Sequence, residues 1–198
     1  MVVLSLLSAQ KEWLQGLNRA ARISICSFVL LAGALGASPL PFQSRFFLMP
    51  LQFAMVAHLA KIYDLLVSAK TISHIVMSLT GVTALASLGC FGANFLKTIP
   101  GLNFVGMASD ATISAITTAA MGLLVNELFI RVRGKALAGE IQPEHLAEAM
   151  NLEEQKQKFS EYFNRLRAPF QEILSDMREG VLSFETERLG QVLANAQV

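Results

Sequence analysis

The residues best placed to do chemistry in this chain are two carboxylates inside long apolar stretches, Asp110 and Glu127. A carboxylate in a membrane helix costs about 2.5–3.5 kcal/mol to insert and is by default a functional-site candidate. Asp110, Ser114 and Thr117 follow one helical face, so they form a candidate polar path that would run between oligomerised helices. The alternative is a place for both carboxylates near the membrane surfaces. Glu127 then pairs with Arg131 four residues on, and Asp110 lies two turns past the Pro100-Gly101 turn.

Other chemistry lacks its residues. His58, His74 and His145 are far apart and none has a His-Glu-x-x-His spacing, so no metal site is expected. The nearest text to a phosphate-cradling loop, Arg133-Gly134-Lys135-Ala136, lacks the hydroxyl after the lysine and the earlier glycine. No catalytic residue, cofactor site or metal ligand emerges, and the chain reads as non-enzymatic. Nor is there a basic stripe interleaved with aromatics, which argues against nucleic acid as a partner.

The elements that must position Asp110 and Glu127 are apolar helices. Of the 198 residues 53% are hydrophobic and 16% charged, with a mean hydropathy of +0.48; soluble chains carry about 25% charge. That much apolar surface predicts lipid around it. Twenty of the 31 charged residues fall in residues 131–198, so the charge is concentrated in the last third. Cys26 and Cys90 lie within apolar runs and read as small packing residues, not a disulfide.

Residues 1–22 read as an amphipathic N-terminal helix with Trp13 as an interface anchor. Arg19-Ala20-Ala21-Arg22 before an apolar run, with Gly36-Ala37-Ser38 after it, imitates a signal peptide. Apolar segments continue as far as Ile130, so a retained membrane helix is the reading. Residues 23–131 form a membrane-embedded helical domain of two hairpins, 23–67 and 71–131. The first turns at Ser38-Pro39-Leu40-Pro41, and its arms are short enough either to dip into the bilayer or to span it thinly. The second contains Thr71–Leu96, 26 residues without a formal charge, and turns at Pro100-Gly101.

Small residues give the packing faces: Ala111, Ala115 and Gly122 on the later helix, Gly81, Gly89 and Gly92 on the preceding one. Lys11, Arg19, Arg22, Lys61, Lys70, Arg131, Arg133 and Lys135 fall at the open ends of the hairpins, against Arg45 and Lys97 at the turns. The positive-inside rule then puts both termini in the cytoplasm.

Residues 132–198 read as a soluble helical tail, with Glu154–Lys158 and Glu161–Arg165 as i,i+4 pairs and a break or kink near Pro169. Its apolar stripe includes Phe159, Phe163, Phe170, Met177 and Phe184. The stripe either closes on the chain itself or docks a partner. The expected fold class is therefore all-α, with embedded helical hairpins and an amphipathic helical C-terminal region.

Several motifs resemble the membrane domain of unknown function in the YcjF-type inner-membrane proteins, which also occurs fused to Era-like GTPases. They are Leu40-Pro41 in a turn, Leu51-Gln52 with Met55, Ile62-Tyr63, and Leu96-Lys97-Thr98-Ile99-Pro100-Gly101, followed by Ala111, Thr118, Ala120 and Gly122. The resemblance covers about residues 23–130. Where the family often has glycine after the tyrosine, this chain has Asp64. The resemblance implies a helical domain in a bacterial inner membrane, or an equivalent organellar or thylakoid membrane, associated with small GTPases. It carries no catalytic residue. The expected partners are thus the lipid bilayer, a GTPase or larger membrane complex held by the tail, and further copies of the chain.

Overall fold

The structure, a computed structural model, describes residues 2–38, 43–82, 103–137, 152–178 and 186–196. Every element among them is an α-helix. Val2–Gly36 contains no proline, and basic residues do not stop a helix, so the chain runs through Arg19–Arg22 as one helix, α1 (Val2–Gly36). The amphipathic segment and the first apolar arm are therefore continuous. Helix α1 ends at the expected turn, and α2 (Gln43–Ile62) follows with Pro50 inside it, on the exposed side. The remaining helices are α3 (Ala69–Val82), α4 (Asn103–Leu137), α5 (Leu152–Arg178) and α6 (Thr186–Ala196).

Helix α2 stops because the chain turns left-handed at Asp64, with φ of 51°. The Leu65 N–H donates to the Ala60 carbonyl at 2.9 Å and the Asp64 N–H to the Lys61 carbonyl at 3.1 Å, the double closure of a Schellman cap. Glycine suits that conformation best, and aspartate is among the few other residues that adopt it readily. Four residues on, the Ser68 hydroxyl accepts from the Thr71 N–H at 3.1 Å and starts α3 as its N-cap.

Helix α4 is the axis of the bundle: α1 packs along most of it, and α2 and α5 also lie against it. Matched pairs show that α1 and α4 run antiparallel, from Gly36 beside Ala111, through Gly33 beside Ala115 and Ile25 beside Gly122, to Asn18 beside Asn126. The small face of α4 formed by Ala111, Ala115 and Gly122 is a packing face, as expected, and the helix shown seated on it is α1. Gly89, Gly92, Pro100 and Gly101 lie outside the described residues, and Gly81 lies in the last turn of α3, whose packing there is not described.

The closest approach is at Gly36. A Cβ there would sit 2.6 Å from the Ala111 Cα and 2.6 Å from the Asp110 carbonyl oxygen, both of them backbone atoms that cannot rotate away. A Cβ on Gly16 would meet nothing within 4 Å. Gly36→Ala should therefore force the helices apart and cost about 1–3 kcal/mol of stability. Gly16→Ala should be neutral or add roughly 0.5–1 kcal/mol through helix propensity. Unfolding of both variants in the same detergent, followed by circular dichroism, checks the contrast.

Candidate functional site

The polar residues of α4 occupy two levels. At the first, Asp110, Ser114, Thr117 and Thr118 are all buried, Asp110 to 1% exposure. The structure thus brings the three sequence-predicted residues to one stretch of α4, but closes that stretch from solvent within a single chain. Two hydroxyls on it are unusual. In an apolar helix a serine or threonine ordinarily bonds the carbonyl four residues back. Ser27 does this to Ile23 at 3.3 Å and Thr112 to Ala108 at 2.6 Å, whereas the Ser114 and Thr118 hydroxyls are buried without a partner.

The second level is a chain of side chains across three helices, which sequence reasoning missed. The Tyr63 hydroxyl, at the end of α2, donates to Asn126 Oδ1 at 2.6 Å, and Asn126 Nδ2 donates to Asn18 Oδ1 of α1 at 2.8 Å. Tyr63 and Asn126 are fully buried, and the Phe129 ring meets Tyr63 edge-on at 6.2 Å. Burial pushes the Tyr63 hydroxyl well above the ordinary phenol range, with the nearby Arg22 charge pulling the other way. It is therefore a fixed donor. Asn126 stands in the run Leu123-Leu124-Val125-Asn126, and that lone amide was the available signal.

From the very next residue of α4, on another face, α5 docks through ions. Glu127 accepts from Lys158 Nζ at 2.7 Å and from the Tyr162 hydroxyl at 2.9 Å, and it pairs with Arg131 as the i,i+4 spacing suggests. Glu154 receives Lys158 and Arg131, each at 3.4 Å. The expected Glu161–Arg165 pair does not form: Glu161 takes the Gln157 amide at 3.2 Å, and Arg165 donates to the Ala196 carbonyl at 3.2 Å, closing the end of α6.

Beneath these ions the stripe of α5 faces inward. Phe159 is 3% exposed, Phe170 is 2%, and Phe163 packs part-buried against the same cluster. These three were candidates for partner binding, and here the chain's own core covers them, the intramolecular one of the two sequence readings. Met177 lies in a helix end whose packing is not described, and Phe184 lies outside the described residues.

None of these levels pairs a nucleophile with a base. They hold buried polar groups and fasten helices. No protein-family model matches the chain, and no match is found among curated proteins or among solved structures.

Glu127 gives the ionic layer a pH dependence. Burial alone would raise its carboxyl. The hydrogen bonds from Lys158 and Tyr162, with the Lys158 and Arg131 charges, outweigh burial and hold it below its ordinary value of 4.5. Tyr162 is pushed up to about 12, by burial first and then by its bond to Glu127 and the Glu127 charge. A carboxyl lowered on folding stabilises fully above its unfolded value, and that contribution is lost as pH falls through the folded value. Docking of α5 should therefore hold at neutral pH and loosen below about pH 4.5. Glu127→Gln should flatten this dependence, measured by amide hydrogen exchange in α5 against pH.

Proposed function

We propose that the chain is a non-enzymatic integral membrane scaffold or adaptor, held in lipid by the α1–α2 hairpin and presenting α5 and α6 to a protein partner in the cytoplasm. One observation carries this reading. Among the described residues four of the six exposed large hydrophobics, Ile23, Leu31, Phe47 and Met49, lie on the outward faces of α1 and α2, with Ile23 59% and Phe47 51% exposed. The sequence is uncharged from Ile23 to Ser44 and from Phe46 to Ala60.

Among the described residues two helices are long and apolar enough to cross a membrane, Gln15–Gly36 and Ala108–Lys135, but they differ in burial. Within its window α4 is 78% buried and needs no lipid to cover it, whereas α1 is 33% buried. From Ile23 to Gly36 the helix extends about 21 Å at 1.5 Å per residue, roughly two thirds of the ~30 Å of hydrocarbon in a bilayer. The side of the bundle carrying α5 is different in kind. Its exposed residues include Glu161, Asn164, Arg165, Arg167 and Gln171, a charged surface suited to water.

The Phe159–Phe170 stripe is covered, so the partner surface is the outer polar face of α5. A GTPase or a larger membrane complex is the partner the family resemblance suggests. The test is crosslinking in intact membranes followed by mass spectrometry. A neighbour captured by the wild type should be lost from the triple variant Glu161→Arg, Asn164→Arg, Arg167→Glu, while both proteins stay in the membrane after alkaline carbonate washing. Capture unchanged by the variant refutes the docking surface, and recovery of the wild type without detergent refutes the membrane placement in favour of a water-soluble bundle.

A second reading has its own support. The unpartnered Ser114 and Thr118 hydroxyls beside Asp110 suit a polar path opened between copies of the chain. On that reading Asp110→Ala should reduce ion flux in proteoliposomes at least tenfold. Flux equal to wild type assigns the stripe to packing.

A further inference from the structure

We propose that Arg19, Arg22, Lys61 and Lys70 form a binding site for anionic phospholipid headgroups, where the lipid-facing hairpin meets water. The proposal rests on the lipid-facing reading of α1–α2 above and adds a lipid class to it.

The four cations belong to one end of the bundle. The bonds from Tyr63 through Asn126 to Asn18 hold the end of α2 beside residue 18 of α1. Arg19 and Arg22 lie next to Asn18 and one turn beyond it. Lys61 is two residues before Tyr63, and Lys70 begins α3 just after the Asp64–Ser68 connection. Arg22 comes close enough to Tyr63 for its charge to act on the hydroxyl.

Among the described residues no carboxylate pairs with these cations. Between Glu12 and Asp110 the sequence holds a single acidic residue, Asp64, and Arg133 approaches it at 3.6 Å. Arg131, Arg133 and Lys158 each have a carboxylate partner. Among the described residues Arg19, Arg22, Lys61 and Lys70 have none, and Arg22 Nε is buried without a hydrogen-bond acceptor. Arg19, Lys61 and Lys70 are exposed. Lys70 also occupies the first turn of α3, where the helix dipole disfavours a cation and favours an anion. Among the described residues these charges go unanswered, and a phosphodiester answers them.

The surroundings fit a headgroup more closely than a free anion. Leu66, in the same connection, is 88% exposed, a bare apolar side chain among lysines. Apolar residues beside cations, at the edge of an uncharged face, are the pattern that seats a surface in the headgroup region. Cation clusters just outside membrane helices attract anionic lipid by about 1 kcal/mol per residue, roughly fivefold in affinity.

The test uses the full chain in neutral detergent, with added phosphatidylglycerol, phosphatidylcholine or inorganic phosphate, read by native mass spectrometry and thermal unfolding. Phosphatidylglycerol should bind at least tenfold more tightly than phosphatidylcholine and raise the melting temperature. The triple variant Arg19→Gln, Lys61→Gln, Lys70→Gln keeps the half-buried Arg22 and should lose about a hundredfold of that affinity. Lys135→Gln with Arg167→Gln, on other exposed positions, should lose little. Equal binding of the two lipids, a triple variant that binds phosphatidylglycerol like wild type, or inorganic phosphate reproducing the whole effect would each overturn the proposal. Carbonate extraction of the same membranes separates the two failures: a protein that stays embedded but ignores lipid charge refutes only the headgroup site, and one that washes out refutes the embedding beneath it.

Discussion

The close approach of α1 to α4 is the constraint on which the rest of the bundle depends. Two helix backbones meet at Gly36 and Ala111 with no room for a side chain on the glycine, and Gly122 gives way in the same manner to Ile25, whose Cγ2 would lie 2.8 Å from a Cβ there. Between these contacts the interface is made of small residues, so attraction is spread over many short van der Waals contacts. Such an interface works only in one register. A slip of one residue would bring Asp110 or Leu123 against α1 in place of Ala111 or Gly122.

That register is also where the buried amide finds its partners. Asn126 is fully buried, and an unsatisfied amide would cost about 1–3 kcal/mol. With Gly36 on Ala111 and Ile25 on Gly122, Asn18 comes level with Asn126, and the end of α2 delivers the Tyr63 hydroxyl to the other side. Packing of small residues and satisfaction of polar ones select the same arrangement. The adjoining ionic layer then has a fixed platform: Glu127 and Arg131 project from an α4 already held by α1, and α5 closes over them through Lys158 and Tyr162.

Much of this was legible in the sequence, with clear limits. The all-helical class and the turn after Gly36 follow from apolar runs and the Ser38-Pro39-Leu40-Pro41 chemistry. The Glu127–Arg131 pair follows from its spacing. The inward stripe of α5 was visible as periodicity, but periodicity states that a face must be covered and not what covers it. Arg19 and Arg22 suggested a boundary that the helix ignores, because charge alone carries no backbone penalty. Gly36 gave no sign of its importance, since a glycine required by a neighbouring backbone looks the same in sequence as one that caps a helix. Asp64 gave no sign in the sequence of the positive φ with which it ends α2. Tyr63, Asn126 and Asn18 come from three separate helices, and a single sequence does not register their meeting.

The same limit governs where lipid lies. An apolar helix reads identically whether protein or hydrocarbon surrounds it, and α1 and α4 pass the same test of length and composition. Burial separates them, because α4 is covered by α1, α2 and α5 while α1 leaves Ile23 and Leu31 outward. Charge separates the two sides again: the outward residues of α5 include acids and bases, whereas those of α1 and α2 carry none between Ile23 and Ser44 or between Phe46 and Ala60. The apolar exposed surface thus falls on the α1–α2 side and the charged exposed surface on the α5 side. The apolar content that lets α4 pass as a membrane span is, in this fold, what lets three other helices bury themselves against it.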